Sequence, residues 1–85
     1  VNKKEFEIED LHWVAGEEPA EFKKEQPLPC QVRIRHLGNM HEANLTKCDG
    51  DRVKVDMEDP AFGVAPGQSA VIYKDDLVLG GGIII

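Results

Sequence analysis

Residues 42 to 57 read Glu-Ala-Asn-Leu-Thr-Lys-Cys-Asp-Gly-Asp-Arg-Val-Lys-Val-Asp-Met, and this stretch decides the fold class. Ala43 and Leu45 alternate with Asn44 and Thr46, then Val53, Val55 and Met57 alternate with Arg52, Lys54 and Asp56. Successive side chains of a strand point to opposite faces, so each run is a strand with one apolar face. Asp49-Gly50 lies between them, and both residues tolerate the positive φ angles of a tight hairpin turn. Upstream, Cys30, Val32, Ile34 and His36 fall on one face of another strand, with Gln31, Arg33 and Arg35 on the other; Leu37-Gly38-Asn39 is a turn signal. Downstream, Pro66-Gly67 in Val64-Ala65-Pro66-Gly67-Gln68 is the pair that a type II turn places at its centre. Ser69 to Tyr73 is rich in strand formers, Lys74-Asp75-Asp76 is a turn, and Leu77-Val78-Leu79 is a further strand.

At the other end of the chain, Phe6 to Leu11 alternates apolar with acidic residues and reads as a strand running into a turn. Leu11, Trp13 and Val14 are expected to anchor that segment to the core. Residues 16–29 are rich in Glu, Lys and Pro, and Pro19, Pro27 and Pro29 predict a surface loop. No stretch of twelve residues has helical periodicity. Five to seven short strands with frequent turn signals predict an all-β domain, a small antiparallel barrel or sandwich. Its expected core is Val32, Ile34, Leu45, Val53, Val55, Val71 and Ile72.

The 85 residues make one domain, 1–85, able to bury roughly 60–65% of its unfolded surface. With 41% apolar and 31% charged residues it reads as a globule and not as a disordered tail. Its apolar runs, such as the closing Ile83-Ile84-Ile85, are far too short for a membrane span, and no leader pattern opens the chain. Two cysteines do not make a disulfide framework, so a reduced, cytoplasmic setting is expected. A chain opening on Val1 is expected to be a fragment of something longer.

Ten basic and sixteen acidic residues leave a net charge of −6, which argues against a free-standing nucleic-acid binder. The charge is uneven. Residues 1–29 and 49–85 are each net −4, whereas residues 30–48 are net +2 through Arg33, Arg35 and Lys47. Such a strip fits an anion contact, or a plain solvated strand face.

Candidate chemistry is sparse. Cys30, His36, His41 and Cys48 are the one conceivable zinc set, but their spacing lacks the close ligand pairs of zinc knuckles, so no metal is expected. Cys48 beside Asp49 lacks the cationic setting that activates a thiol, and Cys30 reads as a small core residue. Gly80-Gly81-Gly82 has no following Gly-Lys-Ser/Thr, so it reads as a bend or close backbone approach in a strand, not a phosphate cradle. Glu17-Glu18 and Asp75-Asp76 read as solvated loop acids. No catalytic residue is expected.

The second half nevertheless carries a specific resemblance. Val64 to Tyr73, with its Pro66-Gly67-Gln68, followed by Leu77-Val78-Leu79-Gly80-Gly81-Gly82-Ile83-Ile84, resembles the C-terminal signature of tRNA-specific 2-thiouridylases. Leu11 to Pro19, Cys30 to Arg35 and Asp51 to Pro60 resemble further segments of that family in the same order, so the likeness covers nearly the whole chain. It implies a C-terminal β-barrel similar to the barrel of aminomethyltransferases and to the second domain of elongation factor Tu. It also implies a parent enzyme that uses ATP with Mg to activate the wobble uridine of tRNA, then installs sulfur delivered as a persulfide. The catalytic cysteines and ATP loop would lie in an N-terminal catalytic domain, and a sulfur-carrier protein is a further implied partner.

Three departures from the family pattern stand out: His36-Leu37 replaces Tyr-Arg, Lys74-Asp75-Asp76 replaces Asp-Gly-Asp, and His12 replaces Asn. Two roles stay open for the barrel. It would help position tRNA through Arg33, Arg35 and Lys47, or it would be a structural or docking barrel that touches no RNA.

Overall fold

A computed structural model describes residues 2–23, 26–34, 39–48, 52–62 and 64–85. The strands are β1 (Asn2–Trp13), β2 (Leu28–Ile34), β3 (Met40–Lys47), β4 (Val53–Phe62), β5 (Ser69–Lys74) and β6 (Leu77–Ile84), with a four-residue helix α1 (Ala20–Lys23). All pairings are antiparallel, and the order β1-β4-β3-β2-β5-β6 closes on itself as a barrel. Closure removes the free edges through which an open sheet would aggregate.

The period-two pattern becomes an inside and an outside. Cys30, Val32 and Ile34 of β2, Ala43 and Leu45 of β3, and Val53, Val55 and Met57 of β4 all point into the core. The β3–β4 hairpin forms, with Leu45 opposite Val55 and the Cys48 N–H donating to the Arg52 carbonyl at 3.0 Å. Its Asp49-Gly50 turn lies outside the described residues, as does the Leu37-Gly38 turn. The β5–β6 turn places Asp75 and Asp76 at φ 50° and 70°, two successive left-handed residues that match the twist of the hairpin.

Three expectations need correction. Val71 is not a core residue: Ala70 and Ile72 take the inward positions of β5, so alternation sends Val71 outward between Arg33 and Gly81. Val14 does not anchor β1, because the chain has already turned away and the side chain is 72% exposed; Leu11 and Trp13 do pack on the core. Residues 16–29 are not all surface loop. Phe22 of α1 is buried and meets Trp13 edge to face, with ring centroids 5.6 Å apart, and Leu28 already belongs to β2 and to the core. Pro29 is accommodated because β2 pairs there with β3 alone; pairing with β5 begins at Gln31.

Strand β1 also runs further than its alternating stretch. Asp10 adopts φ 54° and the β1–β6 register shifts between Glu9 and His12, the signature of a bulge that bends the strand. The bent strand lies tightly on the glycines of β6. A side chain at Gly80 would run into the His12 carbonyl, and one at Gly82 would come within 2.7 Å of the Glu9 carbonyl. The close-approach reading of these glycines matches this geometry.

Candidate nucleic-acid interface

Arg33 stands on the outer face of β2, opposite Met40 of β3 and Val71 of β5. Its guanidinium lies over the Tyr73 ring, 5.5 Å from the centroid, and its Nε is buried without a hydrogen-bond partner among the described residues. A cation held over an aromatic face is favoured by about 0.5–1 kcal/mol at a partly exposed site. The stacking also fixes the guanidinium plane, so an anion would have to meet the terminal nitrogens. Spacing along the chain did not expose this Arg33–Tyr73 contact, since it joins residues forty positions apart.

Lys47 is elsewhere. It closes β3 at the end opposite Met40, seven positions on, which separates its backbone from that of Arg33 by about 24 Å. Its ammonium group donates to both carboxylate oxygens of Glu18, at 3.1 and 2.9 Å. The two residues are thus held apart in space, and one of them is already matched by a carboxylate. Arg35 lies outside the described residues.

The outer faces of the barrel differ in charge. On β1 and β4, Glu5, Glu7, Glu9, Asp56 and Glu58 face outward with Lys54, which pairs with Glu5 at 3.3 Å. On β2 and β5, the outward residues Arg33, Val71 and Tyr73 bring no carboxylate, and Glu42 of β3 accepts from the Gln31 side chain at 3.3 Å. An anion approaching from the β2–β5 side meets the less repulsive wall.

The remaining motif residues are architectural in their geometry. Gly67 sits at φ 92°, which a type II turn requires, and its N–H donates to the Ile84 carbonyl at 2.8 Å. The Gln68 side chain accepts from the Ala65 N–H at 2.9 Å and its carbonyl accepts from the Ile84 N–H at 2.8 Å. Pro66-Gly67-Gln68 therefore ties the start of β5 to the end of β6. Gly80, Gly81 and Gly82 are strand residues pressed on neighbouring backbone, so they do not fit the wrapped loop that ATP phosphates would need.

The cysteines are far apart as well. Cys30 faces the interior opposite Ala43, five positions along β3 from Cys48, about 17 Å. Burial, reinforced by Glu42 and eased by Lys74, pushes the Cys30 thiol up to about 12, so it stays protonated and poorly nucleophilic at neutral pH. His41 shares the inward side of β3, and its Nε2 is buried without a partner among the described residues; His36 lies outside them. Among the described residues no cluster of three His, Cys, Asp or Glu side chains is arranged to hold a metal. No helix among them is long and apolar enough to cross a membrane.

The model of one protein family, described as the aminomethyltransferase beta-barrel domain, matches residues 3–84. Similar proteins include the tRNA-specific 2-thiouridylase MnmA of Rickettsia bellii, 39% identical over 84 residues, which is 99% of this chain and 22% of the relative. MnmA of Synechocystis is 36% identical over 77 residues, 91% of this chain and 20% of the relative. MnmA of Vibrio parahaemolyticus is 40% identical over 74 residues, 87% of this chain and 18% of the relative. The chain thus spans about a fifth of the length of these relatives. A closed six-stranded barrel, a Pro-Gly-Gln turn tied to the last strand and a match over residues 3–84 lead to one conclusion: the chain belongs to the aminomethyltransferase beta-barrel domain family, in the form carried by tRNA-specific 2-thiouridylases.

Proposed function

We propose that this barrel is the non-catalytic module of a tRNA-specific 2-thiouridylase and that it helps hold tRNA for chemistry performed by a separate catalytic domain of the same chain. The observation that carries the proposal is the match of nearly every residue here to proteins that bear that one name. In this reading the ATP, its Mg and the persulfide sulfur are handled outside the barrel, a sulfur-carrier protein supplies the sulfur, and the reaction is cytoplasmic. The tRNA-facing surface is the outer wall of β2 and β5, where Arg33 is held over Tyr73 and the wall brings no carboxylate. An Arg offers two donors to one phosphate, and contacts of this kind position a nucleic acid without reading its sequence. Lys47 is a lesser contributor, because Glu18 already binds it.

The experiment is tRNA binding by the full-length enzyme across a salt series, with Arg33→Ala and Arg35→Ala singly and together. Each lost phosphate contact is expected to weaken binding and to flatten the salt slope by about one unit. Unchanged affinity and slope in the double variant would overturn the tRNA-facing role. That result would leave the second reading, a barrel that packs on protein alone, which the acidic β1–β4 wall and the Lys47–Glu18 pair favour.

A further inference from the structure

Val14 and Leu77 are the two most exposed large apolar side chains among the described residues, at 72% and 70%. They belong to one end of the barrel. The Val14 N–H donates to the Leu79 carbonyl at 2.9 Å, and Leu77 begins the same strand two residues earlier. Beside them opens a cavity of about 320 Å³ walled by Trp13, Ala15, Pro19, Ala20, Leu28 and Leu79. A single exposed Leu needs no explanation, but two apolar side chains flanking an apolar cavity make a surface that water solvates poorly.

The rim of this cavity is acidic. Glu17 and Glu18 line it with Lys74, and Asp75 and Asp76 form the turn between Lys74 and Leu77. Lys47 offsets Glu18 from outside, so the carboxylates still outnumber the ammonium groups. Such a rim repels phosphate and favours lysine or arginine. It does not suit RNA. It suits a protein segment that inserts an apolar side chain and carries basic residues on either side.

The source of that segment follows from length. The relatives are about five times as long as this chain, so most of a thiouridylase lies outside these residues. We propose that the Val14–Leu77 end of the barrel is the seat on which a basic, apolar-tipped segment from the remainder of the same thiouridylase chain docks. The inference rests on the module reading above and adds the surface and the chemistry of its partner. Arg33 lies at the far end of β2 from Leu28, five positions away or about 17 Å, so docking here leaves the β2–β5 wall open to tRNA.

The test is small-angle X-ray scattering of the full-length enzyme with Val14→Asp and Leu77→Asp combined. Both side chains are already exposed, so the barrel itself should keep its fold. Val14→Thr with Leu77→Gln is a milder, uncharged pair should the aspartates disturb folding. The wild type is expected to be compact. Either pair should lengthen the maximum dimension by an amount on the scale of the freed barrel, whose long axis is 33 Å, while Arg33→Ala stays compact. Identical scattering of wild type and both variants would overturn the docking site, as would a wild type that is already extended. A concentration-dependent dimer lost in the variants would also overturn it, by assigning the surface to a second copy. The module reading fails by a different result: a coding sequence with no further domain beside the barrel.

Discussion

On one side of β1, Phe6 and Ile8 stand opposite Val55 and Val53 of β4, side chain against side chain. On the other side, His12 and Trp13 stand opposite Gly81 and Gly80 of β6, where the backbone itself is the packing surface. The first seam is filled by branched apolar residues inside and by charged residues outside, such as Glu5 and Lys54. The second works by the absence of side chains, and the bulge at Asp10 lets β1 lean into the space they leave. One strand thus closes the barrel in two ways with opposite tolerances. A seam built from side chains relaxes when a carbon is removed. A seam built from backbone contact has no soft atom to move when a carbon is added.

The sharpest way to break this contrast is Gly80→Ala. The new methyl group meets the His12 carbonyl of β1, which the rest of the strand holds in place. The expected loss is about 3 kcal/mol or more, at the upper end for overpacking, read from the urea midpoint. A loss under about 1 kcal/mol would show that β1 can retreat and that the seams do not differ.

Ile8→Val is the matched test at the other seam, since it also changes one carbon at a fully buried site. The expected loss is about 1 kcal/mol. A larger effect here than at Gly80 would reverse the comparison.

Cys30 carries the question to the far wall, where side chains again fill the interior. Its thiol is raised from 9.0 to about 12, mainly by burial. The folded state therefore keeps a proton that the unfolded chain gives up between these values. This contribution to stability is complete below pH 9 and is lost as the pH rises toward 12. By pH 10 the loss is on the order of 1 kcal/mol, and it should appear as a fall in the stability difference between wild type and Cys30→Ala measured at each pH. Equal pH slopes for the two proteins would mean that Cys30 is better solvated than its packing indicates.

Glu5→Ala should be the mildest change. The Glu5–Lys54 pair is exposed on both sides, and such pairs contribute at most about 0.5 kcal/mol, less at high salt. A loss above 1 kcal/mol would make the β1–β4 seam depend on its outer charges as well as on its core.

Much of the barrel was legible because alternation is a local signal. Val53, Val55 and Met57 needed only their neighbours to be assigned inward. Val71 was misplaced where the local signal is weakest, in a run of strand formers whose two faces look alike by composition; Ala70, the smaller residue, takes the core position. Phe22 was missed because a four-residue helix has no periodicity to read, and the barrel end that it plugs exists only after closure. The candidate interface was legible in part. Arg33 reads as outward from β2 alone, but its stacking on Tyr73 depends on β5 lying beside β2, and the partner of Lys47 depends on where residues 14–19 cross the barrel end.

The all-β class, the hairpin of β3 and β4, the Pro66-Gly67 turn and the close backbone approach at Gly80–Gly82 are local matters, since each follows from side-chain size and φ preference within a few residues. That Arg33 and Lys47 do not share one basic patch follows from tertiary packing alone. Strands run straight for about 3.4 Å per residue, so residues close in the chain at opposite ends of a hairpin strand are carried far apart, while Lys47 and Glu18, far apart in the chain, are brought to 2.9 Å.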